Sequence, residues 1–532
     1  MEISARRGQP FELDAYPPST RALLQEKLST AQEIAAQFPR RCSLFTTFAA
    51  SAARGLMRAL GNREDWEQVD LYCALTVEPY RFLRHPNVHI RSAYFSPVDR
   101  FLVGKMHKSI SHVPRQFVQF CDYLTEPGRI QIIAHTCTPP DADGYVNLGI
   151  NVETMYEALN VLGDRGETQI VLEINPQMPW VMGDEAYDFN RLHLSRVHKV
   201  YVNDEALPQL PKLEPSDAEK RIAGHVVKLI EDGDTVQFGI GGVPNYVATH
   251  LGDRRELKIH SEMLTDAMVD LVESGVVDCR GKPYYDGYVV GTFAAGSNKL
   301  YDWLHRNEGV RLLPVRAVND PALIGQIPRL KSVNSALAVD FHGQFCSDAI
   351  GYKQVSGIGG QLEFVIGAQR SPGGRSIMCL KSTRKVGSKR VSNIAAALPL
   401  GTPIAVPRQF ADVVVTEWGV AELRHACAFE RTRRLISIAH PDFRDALVKQ
   451  AKQTGTWGGD SGFATKAHVA FYDHLSDVVR LQKAWKAGKL LQTLKASEAA
   501  SSGEHPLFAK ALEGASRASE LLTQLRGGES PK

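Results

Sequence analysis

The chain has 532 residues, enough for three or four domain-sized units, or fewer if they are large α/β units. With 43% hydrophobic and 23% charged residues it has the composition of a folded globular protein, and a net charge of +3 without a basic block gives no footing for nucleic acid or an anionic membrane. The eight cysteines, at 42, 73, 121, 137, 279, 346, 379 and 427, include no close pair, which argues against a disulfide scaffold or zinc framework and for reduced, mostly buried thiols in a cytoplasmic setting.

The first segment, MEISARRGQPFELD, lacks the apolar core of a signal peptide, and no apolar run further on reaches the length of a membrane span. Periodicity predicts one helix over Ser19–Gln37 and an Ala-rich helix over Phe48–Leu60. Strands are expected at Val69–Val77, Val88–Ser92, Arg129–His135 and Thr168–Glu173. Strands alternating with helices imply βαβ units and a largely parallel sheet. The three prolines of LPQLPKLEP (207–215) mark a domain boundary. A helix over Asp217–Glu231 restarts the pattern, followed by strands at Thr235–Phe238, Leu257–His260, Val310–Val315, Ser335–Phe341, Ser376–Leu380 and Asp412–Thr416. After about Asp473 the character changes to a basic amphipathic helix (478–495), a linker-like SEAASSG and a second helix (507–525). The expected division is therefore 1–215, 216–473 and a helical tail, 474–532.

The densest signal is DTVQFGIGGVPNYVATHLGDRRELKIHSEMLTD (234–266). It reads as strand, glycine turn, helix, strand and then an acid. Pro244 suits a first helical turn, where its missing N–H would be unpaired anyway. A strand–glycine–helix joint leaves backbone N–H groups aimed at an anion, or at an oxygen that becomes one. Glu262 falls at the carboxyl end of the second strand, where open α/β sheets place their ligands. GIGG recurs at 357–360. The rival dinucleotide fingerprint fails, because Pro244 and Leu362 stand where the third glycine of G-x-G-x-x-G belongs. Neither H-E-x-x-H nor G-x-S-x-G occurs, which argues against a zinc site of that type and an α/β-type serine hydrolase. By itself Glu262 reads as a solvated or capping acid, Asn319-Asp-Pro as a turn, and KSTRKVGSKR (381–390) as a solvated basic loop. His440-Pro-Asp442 reads as a helix start.

A series of short segments in order changes that weighting: CTPPDADGYVNLG (137–149), INPQMP (174–179), GIGGVPN (239–245), IHSEMLTD (259–266), VNDP (318–321), SVNSALAVDFHGQ (332–344), SGIGGQLEF (356–364), TEWGVAELR (416–424) and LISIAHPDFRDAL (435–447). Together they resemble the acetyl-CoA hydrolase/transferase family, the class I CoA-transferases that act on short acyl groups. The resemblance implies two similar CoA-transferase-type α/β domains with the active site between them, and a homodimer. It implies that Glu262 is the covalent nucleophile with Asn319 beside it. Gly239, Ile240, Gly241, Gly242 and Val243, with the loop from Gly360 to Leu362, are implied to supply amide donors around the CoA thioester, and Lys385 to contact CoA. The substrates implied are acyl-CoA and a carboxylic acid, with no metal or prosthetic group. A hydrolase using the same glutamate, or a CoA-binding protein without turnover, are the alternatives. The sequence departs from the usual pattern at Glu363, where relatives usually carry Asp, at TEWGVAELRHAC, and at FTTFAASAARGLMRAL (45–60), which lacks the early glycine-rich loop and bears on acyl-group choice.

Overall fold

Two mainly parallel sheets, each within its own half of the chain, organise the computed structural model, which describes residues 7–106, 108–211, 214–239 and 241–457. The helical tail expected at 474–532 and the glycine-turn residue Ile240 lie outside the described residues. The first sheet contains β1 (Arg41–Thr46), β2 (Gln68–Cys73), β3 (Val88–Ser92), β4 (Ile110–His112), β5 (Ile132–Cys137), β6 (Gln169–Ile174) and β7 (Lys199–Val202). Its strands run in the order β4-β3-β2-β1-β5-β6-β7, and every pairing is parallel. The second contains β8 (Thr235–Phe238), β9 (Lys258–Ile259), β10 (Leu330–Ser335), β11 (Arg375–Cys379), β12 (Val413–Thr416) and β13 (Gly419–Glu422), in the order β9-β8-β10-β11-β12-β13. Only the terminal pair, β12 with β13, is antiparallel. Parallel sheets carry helices on both faces, so their strands read as unbroken apolar runs. All six residues of β5 and all four of β12 are buried accordingly.

Several boundaries differ from the sequence reading, each for a local reason. The single helix expected at Ser19–Gln37 is two, Pro18–Lys27 and Ala31–Gln37. Leu28 turns extended to bridge Val200, and Thr30 then opens the second helix with a capping box to Glu33. The Phe48–Leu60 helix is confined to Arg54–Leu60, preceded by a 3-10 turn at Ala49–Ser51. Asp217–Glu231 is α-helical only through Val226. The strand expected at Ser335–Phe341 is displaced: a central strand of the second sheet is β10, and Ala338–Asp340 pairs elsewhere. GIGG at 357–360 runs from the short strand Lys353–Gln354 into the Gln361–Arg370 helix, with Gly360 as its N-cap. His440-Pro-Asp442 does open a helix, Pro441–Gln453. The cysteines form no disulfide; seven are buried and Cys427 is exposed. Among the described residues no helix is long and apolar enough to cross a membrane.

Candidate active site

Glu262 immediately follows β9 and two buried polar residues, His260 and Ser261. Its backbone carbonyl accepts from the N–H groups of Thr292 (2.9 Å) and Phe293 (3.2 Å), which pins the main chain and leaves the side chain to project. Asn319 Nδ2 donates to Glu262 Oε2 at 2.8 Å. Asn319 is the last residue of the Val315–Asn319 helix and is fully buried. The turn chemistry read from Asn319-Asp-Pro belongs to Asp320, whose carboxylate caps the next helix on the Ala322 N–H at 2.7 Å, so the Asn319 amide is free to reach the glutamate. His260 steadies the same helix by donating Nε2–H to the Val318 carbonyl at 2.8 Å. Burial pushes this imidazole down to about 3, so it stays neutral.

The second glycine loop closes over the carboxylate. A Cβ on Gly360 would lie 2.0 Å from Glu262 Oε2 and 2.1 Å from Asn319 Nδ2, so only glycine fits. Gly359 takes the left-handed conformation (φ +56°), and a Cβ on Gly357 would sit 2.3 Å from the Ala93 carbonyl oxygen. The loop is therefore wedged between the glutamate and the Ala93–Tyr94 segment that follows β3 of the first sheet. Gly360 also hydrogen-bonds Glu262 through its backbone. The amides of Gln361 and Leu362 belong to the first turn of the following helix, where intrahelical acceptors are lacking.

In the first glycine turn, a Cβ on Gly239 would meet Asn334 Oδ1 at 2.4 Å, and Gly241 adopts φ +142°. Gly242 and Val243 begin the Gly242–Ala248 helix. Gly239 and Glu262 line one polar cleft together with Gln237, Asn334, Ser335 and Gln361. On its other side Glu262 faces an apolar cavity walled by Phe48, Phe117, Phe120 and Phe293, with Arg115 also on its lining. Tyr94, Glu262 and Gly359 border both spaces. Burial is the main cause that pushes the Glu262 carboxyl up to about 7, while the Asn319 and Gly360 hydrogen bonds pull it back toward ionisation.

Glu262, Asn319, Gly239, Gly241, Gly242, Val243, Gly360 and Leu362 are thus gathered around the carboxyl edge of the second sheet. Lys385 is not in contact with this group. It is exposed on the hairpin Thr383–Val386/Lys389–Ser392, while Lys381 pairs with Glu219 at 3.1 Å, beside Gly242. Sequence reasoning did not assign roles to Glu363, Tyr94, Phe48 or Phe117. Glu363 Oε2 accepts from the same Asn319 Nδ2 at 2.8 Å. Its only signal in the sequence was the departure from the more usual Asp.

Residues 18–211 match the acetyl-CoA hydrolase/transferase N-terminal domain, and residues 296–451 match the C-terminal domain. The chain belongs to the acetyl-CoA hydrolase/transferase family. Among its relatives, succinyl-CoA:cyclohexane-1-carboxylate CoA transferase of Geobacter metallireducens is 35% identical over 368 residues, 69% of this chain and 81% of that protein. The probable butyrate:acetyl-CoA coenzyme A-transferase of Syntrophomonas wolfei is 32% identical over 452 residues, 82% of this chain and 98% of that protein. The crystal structure of RipA from Yersinia pestis superposes with a TM-score of 0.74 at 30% identity, covering 82% of this chain and 99% of RipA. An acetyl-CoA hydrolase from Eremothecium gossypii is more distant, at 26% over 294 residues, 52% of this chain and 53% of that protein.

Proposed function

We propose that this family member is an acyl-CoA:carboxylate CoA-transferase that moves CoA from a short-chain acyl-CoA to a carboxylic acid such as acetate or succinate, through a covalent thioester on Glu262. The observation that supports this most is the position of Glu262 between an apolar cavity and a polar cleft. A thioester laid across that junction would put its acyl group among the phenylalanines, its carbonyl at the carboxylate, and its CoA tail in the cleft. The tail would follow the carboxyl edge of the sheet. From the end of β9 past Gly239 and Ser335 to Lys381, three strand spacings amount to about 14 Å. Beyond Lys381 lies the basic hairpin with Lys385, suited to the phosphates of CoA.

Glu262 attacks the thioester carbonyl, giving a glutamyl–acyl anhydride and releasing the CoA thiolate. The thiolate attacks the glutamyl carbonyl, giving glutamyl-CoA and freeing the first acid. A second carboxylate repeats the steps in reverse and leaves as the new acyl-CoA. One thioester is broken for each one formed, so the exchange is nearly isoenergetic. A carboxylate is a weak nucleophile, and a site that raises its basicity while keeping it ionisable near neutral pH assists it. The oxyanions formed at each attack need fixed donors, and losing one typically costs about 3 kcal/mol of activation energy. The backbone amides of the two glycine loops and Asn319 Nδ2 are suited to that task.

The test is the intact mass of the protein after mixing with a panel of short acyl-CoAs, beside Glu262→Ala. A CoA-sized adduct on the tryptic peptide Ile259–Arg280, absent from the variant, is expected. Equal labelling of the variant would mean another nucleophile, and no adduct with CoA binding intact would favour a non-catalytic binding protein. Loss of acyl-CoA without any added acid would assign the chain to hydrolysis, the activity named for its more distant relatives.

A further inference from the structure

Glu363 is more than a variant of the usual Asp. It is 1% exposed and uses both carboxyl oxygens: Oε2 accepts from Asn319 Nδ2, and Oε1 accepts from the Val118 N–H, each at 2.8 Å. We propose that Glu363 is a positioning residue, which holds the Asn319 amide with an N–H aimed at Glu262 throughout the reaction and ties that amide to the wall of the apolar cavity. The inference rests on Glu262 being the covalent nucleophile.

An amide nitrogen has two hydrogens, and the two acids take one each. Asn319 Oδ1 is buried with no hydrogen-bond partner among the described residues, so nothing on the oxygen side orients the group. A flipped amide would press that oxygen against two carboxylates, so the acids themselves set its direction. They are unequal in persistence. Once acylated, Glu262 loses its charge and becomes a weak acceptor, so its hold on Asn319 weakens when the CoA thiolate is about to attack the glutamyl carbonyl. Glu363 is not consumed in any step. It keeps Nδ2 in place, with its second hydrogen directed at the glutamyl oxygen on which negative charge then develops.

The other oxygen of Glu363 extends the arrangement to the acyl side. Val118 lies in the first turn of the Phe117–Leu124 helix, which carries Phe117 and Phe120 into the apolar cavity. The Phe117 N–H also donates to the Gly359 carbonyl at 3.2 Å, so two bonds from neighbouring residues dock this wall onto the loop at Glu262. Burial is the largest cause that pushes the Glu363 carboxyl up, and the Glu262 charge adds to it, while the N–H bonds from Asn319 and Val118 pull it back toward the carboxylate that accepts from both.

The experiment is single-turnover formation of the CoA adduct on the Ile259–Arg280 peptide in wild type, Glu363→Ala and the isosteric Glu363→Gln, with CoA affinity measured alongside. The amide of Gln must turn an N–H toward either Asn319 or Val118 and so loses one of the two contacts. Adduct formation is expected to slow by about 30- to 300-fold in both variants, in line with the cost of misplacing a reacting group or losing a donor. CoA affinity is expected to stay within about threefold, because neither contact faces the cleft. The acid limb of the rate profile should move, because the variants release Asn319, whose bond favours the ionised Glu262, and remove a neighbouring carboxyl that opposes it. Labelling of both variants at the wild-type rate with an unmoved acid limb would overturn the proposal and leave Glu262 as nucleophile. Absence of the adduct in wild type would remove the premise and the proposal with it.

Discussion

Glu173 in the first sheet and Glu262 beside the second both stand at the carboxyl ends of parallel strands, and their surroundings differ in kind. Glu173, in β6, is fully buried and saturated: it accepts from Tyr201 Oη at 2.6 Å, from the Gly55 N–H at 2.8 Å and from Thr136 Oγ1 at 3.1 Å. Glu262 has one side-chain donor and the Gly360 backbone, and its remaining surface opens on two cavities. Burial pushes both carboxyls up. Desolvation alone therefore does not distinguish them. The difference lies in unused acceptor capacity and in space in front of the oxygens for a carbonyl carbon.

Exchanging each acid for alanine tests this most directly. Glu262→Ala should lower CoA transfer by at least about 10,000-fold, the scale expected on deleting a nucleophile, with CoA binding retained and the thermal midpoint little changed. Glu173→Ala should do the reverse. It strands the Tyr201 hydroxyl and the Gly55 N–H in the core, and at about 1–3 kcal/mol for each unsatisfied group the thermal midpoint should fall by several degrees. Turnover per folded molecule should be unchanged. Scanning calorimetry beside a transfer assay reads both; a Glu173 variant that is stable but inactive would break the distinction.

The next effect in size is steric. Gly360→Ala would place a methyl carbon 2.0 Å from Glu262 Oε2 and must push the carboxylate or Asn319 aside. A shift of about 1 Å in a reacting group commonly costs on the order of 100-fold, and that loss is expected in kcat at near-normal CoA affinity. Steady-state kinetics with CoA binding measured separately would check it. An alanine that left kcat intact would mean the loop is free to move away from the glutamate.

How much of this could be read from the chain depended on whether local pattern and tertiary environment agreed. Val88–Ser92 agrees to the residue because its alternation matches its burial, with Val88 and Ile90 inside and His89 exposed, and Thr235–Phe238 agrees because a glycine turn bounds it. Leu330–Ser335 was missed because a central strand there buries polar residues. Ser332 and Asn334 satisfy each other and Gln237 in a closed network at 2.7–3.0 Å that has no signature in a single sequence. Likewise Glu262 and Asn319 stood out through motif resemblance, whereas the phenylalanine wall is assembled from positions 48, 117, 120 and 293, which only the fold brings together. Lys385, which only the family resemblance implies, stands exposed on its hairpin, away from the described contacts of the glutamate.

A smaller, graded effect follows from acidity. In the proposed mechanism the attacking form of Glu262 is the carboxylate, and its carboxyl is pushed up to about 7. Protonation below that value removes the nucleophile, so kcat/KM should be constant well above pH 7 and fall about tenfold per pH unit below it. A profile of kcat/KM from pH 5 to 9 measures this. Asn319→Ala should shift the acid limb upward, since the lost hydrogen bond favoured the charged form. An acid limb left near the ordinary carboxylate range would show that the site opens to water more than its walls indicate.

The least drastic change concerns the cavity and not the acid. Phe48 lies in the segment that departs from the family's glycine-rich loop, and its ring meets Phe117 at 5.8 Å and Phe120 at 6.1 Å. Phe48→Leu trims this wall without touching Glu262, Asn319 or either glycine loop. Apolar pockets discriminate by about 1–3 kcal/mol per methylene, so the variant should shift the ratio of kcat/KM for a branched or cyclic acyl-CoA over acetyl-CoA upward by roughly tenfold or more. The acid limb should stay in place, because the glutamate's own contacts are unchanged. If the ratio is unmoved while the acid limb moves, Phe48 acts on the carboxylate's environment instead of on acyl size, and the division between an acyl side and a CoA side of Glu262 has to be redrawn.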